Sequence, residues 1–535
     1  MDDGRTVEDV GLDAGEPPRA QRALQSMAGW VSRRSYAVMA VWLCLVGAAM
    51  VGCSRQKLLW NDEVMNKWVF TLPTARAVWR ALKLGTALYP PFVPLLGHWV
   101  THLLGPSPLV LRLPCMVGVG VMLMCLFLTL RRYIGPLYAL LGLVIPFCTV
   151  LPAYGYDATP YGIMYGFLGA AIYCWDKAGD RDRSWWNVAF GLAVAAMLGC
   201  HFYALFALPA FYLAEGVRTL RRGVNWWTTG ALVAASASEL LYLPLVIGIR
   251  GRFLGVYWST PHWGSIPRML AGTMNGLAVP LYVFLLLAAA LVALRFRFTP
   301  REYKDQANGR FRELTALAFG LLLVPLLGWL AGMLVFKAFV HRYVQHGLFG
   351  VFLLVPLFAA RHFRADRSLG LALLVACGLP ASLSVARGVA GDFKPPARHD
   401  DFAQLEQALP KLSGDIVVSN FLVFTPLVDY SPALRARCIY FWDREKELQY
   451  TGQDMLAYGA PALAQLGFFR GEPWSSYHDR DKAFLFLAAA DSVPDGVGEW
   501  LRAYMKASDR YGEVVLRAGS LLIVRAKPVK SGIAP

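Results

Sequence analysis

Two adjacent acids, Asp62 and Glu63, stand between strongly apolar stretches, and a third, Asp157, lies just before Pro160 at the entry to another. His201 with Tyr203, Arg250 with Arg252 and His262, and Lys337, His341, Arg342, Tyr343 and His346 also fall at the borders of apolar runs. Ionisable side chains at such borders are costly unless they line a wet cavity. Acids together with bases at a bilayer surface suit an anionic lipid substrate. His98 and His102 have the i, i+4 spacing of metal ligands on a helix, but Trp99-Val100-Thr101 between them lacks the glutamate of a zinc-protease helix.

The elements that must hold these groups follow from composition. Of 535 residues 56% are hydrophobic and only 16% charged, with a formal net charge of +16, whereas a soluble domain carries about 25% charged residues. One large soluble domain, a disordered chain and a nucleic-acid-binding module are excluded. A polytopic membrane protein with Lys and Arg gathered in its cytoplasmic loops is indicated. At about 20 apolar residues per crossing, spans fall near 36–53, 109–130, 136–153, 158–175, 185–200, 201–216, 226–249, 269–294, 313–336, 343–360 and 368–386. With the N-terminus inside, the inside segments hold 22 of the 35 Lys and Arg that precede residue 388, and the outside segments hold 13. Eleven crossings then put the C-terminal part outside the cytoplasm, and the ionisable residues named above share that outer face.

Residues 1–35 are polar, do not match a cleavable signal peptide, and read as a disordered cytoplasmic tail. The first outer loop runs from about 54 to 108. Within it, 64–82 reads as an amphipathic helix through Trp68, Leu72, Val78, Trp79 and Leu82. Residues 88–104, with Pro90, Pro91 and Pro94, read as an interfacial or re-entrant element. Residues 388–535 carry 17 basic and 18 acidic side chains and form a small α/β domain. Strands are expected at 415–419, 437–441, 483–488 and 513–525, with a hairpin turn at Ala518-Gly519-Ser520. Helices are expected at 400–409, behind Asp400 and Asp401 as caps, and at 496–507. Eight of nine cysteines lie in or beside apolar spans, and Cys438 alone lies in the soluble part, so that part has no internal disulfide.

Each candidate also has a plainer reading. Asn61-Asp62-Glu63 is a good N-cap with first-turn acids, and Asp157 before Pro160 is another cap. His201 suits a solvated turn, and Arg342-Tyr343 an interfacial anchor. Glu239, mid-span, reads as an interhelical hydrogen-bond partner beside Ser236 and Ser238.

The ordered set Leu59-Trp60-Asn61-Asp62-Glu63, Pro90-Pro91, Leu111-Arg112-Leu113-Pro114, Asp157-Ala158-Thr159-Pro160-Tyr161, His201-Phe202-Tyr203 and His341-Arg342-Tyr343 resembles the GT-C glycosyltransferases. The likeness is to family 39 and its bacterial relatives, which include protein O-mannosyltransferases and lipid A aminoarabinose transferases, and it covers roughly 36–386. It implies inverting transfer of one sugar from an undecaprenyl- or dolichyl-phosphate donor to an acceptor protein, glycolipid or polysaccharide outside the membrane, a bacterial inner membrane being the expected host. Asp62 would be the catalytic base, with Glu63 supporting the site, Asp157 a further catalytic candidate, and Arg342 the first contact of the lipid phosphate. Tyr343, His201, Tyr203, Tyr161, Lys83, Arg55 and Lys57 are further donor-binding candidates. Relatives often read Glu-x-Arg-Pro-Tyr where this chain has Asp157 and Thr159, which leaves the Arg role to Arg252 or Lys337. Tyr89 stands where a His or Lys commonly precedes Pro-Pro. No spacing demands a metal, although Asp62, Glu63 and Asp157 would suffice to hold Mg or Mn with waters. The expected fold class is a polytopic α-helical membrane protein of GT-C type, with a tail (1–35), a transmembrane catalytic domain (36–387) and an extracytoplasmic α/β domain (388–535). A lipid-sugar transporter is the alternative. Carriers place broken helices and binding sites at the midplane, whereas the polar residues here crowd one face.

Overall fold

The computed structural model of the chain describes residues 19–180, 185–252, 259–273, 308–453, 458–490 and 499–529. Six helices among them are long and apolar enough to cross a membrane: Ser35–Gln56, Pro108–Arg131, Trp226–Gly248, Arg310–Val335, His341–His362 and Arg367–Phe393. Shorter helices fill the remaining expected spans among the described residues, apart from 269–294. Near 136–153 the chain forms Pro136–Val144 followed by the tight turns Ile145–Cys148 and Leu151–Tyr156. Pro146 and Pro152 lack the N–H that a regular helix needs there. Pro160–Ala178, Trp185–Leu198 and Leu208–Arg222 follow, and most of the expected span 269–294 lies outside the described residues.

Pro108–Arg131 and Pro160–Ala178 pack backbone to backbone. Gly162 and Gly166, spaced as small-xxx-small, lie against Gly118, and a Cβ at Gly166 would stand 2.7 Å from the Gly118 Cα. Only small residues let two apolar helices approach this closely where water supplies no driving force. The contact sets the start of Pro160–Ala178 against the middle of Pro108–Arg131. Their other ends are tied by ion pairs, Arg132 with Asp176 and Asp180, and Arg310 with Asp180, and on the same side Arg218 and Arg222 pair with Glu313 to join Leu208–Arg222 to Asn308–Leu322. Several residues counted as topological signals are therefore also structural staples.

Two expectations about the N-terminal part need correction. The expected disordered tail does not extend to residue 35: a helix, α1, spans Arg19–Arg33, and residues 1–18 lie outside the described residues. Leu24, Ala28 and Val31 form an apolar stripe that packs on Leu137, Leu371 and Leu374, and that burial stabilises the helix. The single amphipathic helix at 64–82 is two helices, Asn61–Phe70 and Ala75–Lys83, because Pro73 disfavours helical geometry in the residue before it. Ser35–Gln56 is α2, Asn61–Phe70 is α3 and Ala75–Lys83 is α4. Phe92–Leu104, α5, is too short to span and exposes Trp99, Leu103 and Leu104. Pro108–Arg131 is α6.

Beyond Phe393 the chain forms a six-stranded sheet: β1 Ile416–Val418, β2 Cys438–Trp442, β3 Gly471–Pro473, β4 Leu485–Ala489, β5 Val514–Ala518 and β6 Leu521–Arg525. The order is β3-β2-β1-β4-β6-β5, parallel from β3 to β4 and antiparallel at β6 and β5. All three β1 residues are buried, as a central parallel strand covered on both faces requires. Val417, Ile439 and Phe486 meet Trp474 and Trp500 on one face. Ile416, Val418 and Tyr440 on the other face join the helix Phe421–Tyr430 and the membrane part in one core. The expected cap Asp401 instead accepts from the Ser520 N–H and hydroxyl, at 3.1 and 2.8 Å, holding the hairpin turn. The helix there, Asp400–Ala408, starts behind His399.

Candidate active site

α2 ends at Gln56, residues Lys57 to Trp60 run on without helix, and α3 starts at Asn61. The turn between them brings three carboxylates to one end of the bundle, each beside its own cation. Asp62 Oδ2 lies 3.2 Å from Arg342 Nη2, with 30% of the Asp62 side chain and 21% of the Arg342 side chain exposed. The guanidinium also sits over the Trp60 ring at 5.3 Å and the Tyr343 ring at 5.9 Å. Asn61 Nδ2 donates to Asp62 Oδ1 at 3.4 Å. Burial raises the Asp62 pKa, Arg342 and the Asn61 amide pull it back, and nearby Glu63 raises it further.

Glu63 is fully buried and makes a two-point pair with Arg112: Nε to Oε1 at 2.7 Å and Nη2 to Oε2 at 2.8 Å. The Ala158 N–H also donates to Oε1, at 2.7 Å. Arg112 spends its remaining donors on the carbonyls of Ser54, Lys57 and Leu58. This pair joins the end of α2, the start of α6 and the entry to Pro160–Ala178. Asp157 accepts from the Trp60 indole at 3.0 Å and faces Lys57 at 3.3 Å, while Lys57 also reaches Glu63 at 3.6 Å. A wall of rings closes one side: His201 lies 5.3 Å from Tyr161, 5.0 Å from Tyr343 and 5.8 Å from Tyr203. The Tyr203 hydroxyl is tied to the Ala338 carbonyl at 2.7 Å.

Other candidates lie apart from this cluster. Arg55 pairs with Asp392 at the end of Arg367–Phe393, and Lys83 is exposed over the Trp79 ring at 5.9 Å. His98 and His102 contact the Phe70 and His98 carbonyls through Nδ1. Lys337 and His341 are exposed, and the Arg250 and Arg252 side chains lie outside the described ones. The serines near Glu239 turn to their own helix, Ser236 to the Leu232 carbonyl and Ser238 to that of Ala235, so they are not its partners. Among the described residues, no three His, Cys, Asp or Glu side chains converge as a metal site.

Four groups at the site had no role assigned from sequence. Arg112 carried a detectable signal, since an arginine this early in an apolar helix needs a buried acid. Tyr89 bonds the Asn66 amide, which in turn donates to the Ala158 carbonyl at 2.8 Å. Thr425 and Tyr458 come from the C-terminal domain. Thr425 bonds Asn61, and Tyr458 is within electrostatic reach of Asp62, Tyr89 and Tyr343.

Fold and site together define a polytopic helical membrane protein with an acid–cation centre at one end of its bundle and an α/β domain packed there. Residues 89–242 match the family described as dolichyl-phosphate-mannose-protein mannosyltransferase, which bears out the resemblance to family-39 GT-C glycosyltransferases over that stretch. Among solved structures, ArnT from Cupriavidus metallidurans bound to undecaprenyl phosphate is similar at 13% identity and a TM-score of 0.46, over 95% of this chain and 99% of that one. An oligosaccharyltransferase from Archaeoglobus fulgidus, in complex with zinc and sulfate, is similar at 11% identity and a TM-score of 0.42, over 83% of this chain and 67% of that one. Among curated proteins none matches the sequence.

Proposed function

We propose that the protein is a membrane glycosyltransferase that moves a single sugar from a polyprenyl-phosphate carrier to an acceptor hydroxyl on the outer face, inverting the anomeric carbon. The observation that carries this is a partly open carboxylate, Asp62, held 3.2 Å from a guanidinium, Arg342, in a chain whose stretch 89–242 matches a mannosyltransferase family. Asp62 takes the proton of a hydroxyl on a protein, glycolipid or polysaccharide as its oxygen attacks the anomeric carbon. The bond from that carbon to the phosphate oxygen breaks on the opposite face. Arg342 meets the negative charge that collects on the departing lipid phosphate, a stabilisation that grows as the bond breaks. Lys57 holds Asp157, and Glu63 with Arg112 fixes the turn that presents Asp62.

Arg342→Ala should lower kcat/KM by about 100-fold, and Arg342→Lys should recover part of it, because a point charge replaces a planar fork. Steady-state transfer from a labelled polyprenyl-phosphate sugar measures both. An Arg342→Ala protein with wild-type kinetics would remove the phosphate role.

The orientation has its own test. Cys438 is buried in β2 at 1% exposure, so engineered thiols are needed. Ser508→Cys, at an exposed site in the C-terminal domain, should label with an impermeant maleimide from outside intact cells. Val224→Cys, at an exposed site after Leu208–Arg222, should label only after permeabilisation. Reversed labelling would move the site to the cytoplasmic face and exclude an outer acceptor.

A further inference from the structure

We propose that the C-terminal domain is a working part of the transfer site: Thr425, on its helix Phe421–Tyr430, is a positioning residue that decides which end of the Asn61 amide faces Asp62. The inference rests on Asp62 being the base. The Thr425 hydroxyl lies 2.6 Å from Asn61 Oδ1, and both side chains are buried, at 0% and 5% exposure. The same helix grips α3 and the linker before it elsewhere. Asp429 accepts from Lys67 Nζ at 2.8 Å and from the Trp68 indole at 3.0 Å, and the Tyr430 hydroxyl accepts from the Leu59 N–H at 2.8 Å. The Trp68 ring stacks on Phe468 at 5.6 Å.

An asparagine amide has one accepting and one donating end. The single Thr425 proton has two acceptors in reach, Asn61 Oδ1 at 2.6 Å and the Phe421 carbonyl at 3.1 Å, and the shorter contact takes it. With its oxygen held there, Asn61 turns its NH2 toward Asp62 Oδ1, 3.4 Å away. The flipped amide would set a carbonyl oxygen against a carboxylate. A donor at this point favours the ionised form that a base needs. The other groups acting on Asp62 are Arg342 from His341–His362, Glu63 from α3, and Tyr89, Tyr161 and Tyr458. Removing the Thr425 hydroxyl leaves each of them in place.

The test uses full-length protein and the labelled polyprenyl-phosphate sugar that the wild type turns over, with kcat and KM measured across pH. Thr425→Val should lower kcat about 5- to 10-fold, keep the donor KM within about twofold, and move the acid limb up by about 0.5–1 pH unit, the scale of one ordinary hydrogen bond. Thr425→Ser should restore both. Asn61→Ala, which removes the donor but leaves the Asp429 contacts, should reproduce the shift and covers the case in which Thr425→Val fails to fold. A Thr425→Val or Asn61→Ala enzyme with the wild-type pH profile overturns the inference, as does equal loss in Thr425→Ser. If Asp62→Asn stays active, or the wild type transfers nothing, the base assignment itself falls. If Asp62→Asn is inactive while Thr425→Val is normal, only the present inference fails.

Discussion

Asp62→Asn should lower kcat by about 10²–10⁴-fold, the range supplied by a positioned general base, while the protein stays folded and its donor KM does not rise. The amide has nearly the carboxylate's shape but cannot take the acceptor proton. Removing the charge also takes away the anion that Arg342 now faces at 3.2 Å, so Asp62 no longer competes with the lipid phosphate for its guanidinium. The pH dependence carries a sign. Burial and Glu63 hold the Asp62 pKa above its ordinary value despite Arg342 and Asn61. The base is therefore lost by protonation as pH falls, and the acid limb of kcat/KM should lie above the usual carboxylate range. Initial rates against pH measure it. An acid limb at or below ordinary carboxylate values would mean that another group takes the proton.

Glu63→Gln and Arg112→Ala should each destabilise the protein by about 3–5 kcal/mol, the cost of leaving one half of a buried ion pair alone. Both side chains are fully buried. Glu63→Gln leaves the Arg112 charge buried without its counter-ion, and Arg112→Ala also leaves the carbonyls of Ser54, Lys57 and Leu58 without their donor. Thermal unfolding in detergent should show a large drop for both variants and almost none for Asp62→Asn. Adjacent acids would thus fail in different ways, one through chemistry and the other through folding. A Glu63→Gln protein that melts like the wild type but is inactive would instead give Glu63 a direct part in the reaction.

Local pattern made much of the molecule legible. Apolar runs and flanking charges located the long helices, and alternation with turn residues located β1, β2, β4 and the β5–β6 hairpin at Gly519. β3 escaped because Gly471-Glu472-Pro473 is short and contains two residues that strands disfavour. The helix Arg19–Arg33 was hidden inside a tail whose overall polarity masked the stripe of Leu24, Ala28 and Val31. The acids, aromatics and Arg342 stood out singly, since ionisable residues are conspicuous in an apolar chain. Which of them pair did not. Glu63 meets Arg112 across 49 residues, and Asn61 meets Thr425 across 364. No spacing rule reaches that far, so the packing adds what the resemblance could not: Glu63 is sealed in a buried pair with Arg112, while Asp62 stays partly exposed beside Arg342.

The most direct test is transfer by the purified protein from a panel of labelled polyprenyl-phosphate sugars to hydroxyl acceptors, with Asp62→Asn beside it and the anomeric configuration of the product determined. The expected result is a single-sugar product of inverted configuration from the wild type and almost none from the variant. Carrier binding without transfer across the panel, or a variant as active as the wild type, would contradict a transferase built around Asp62.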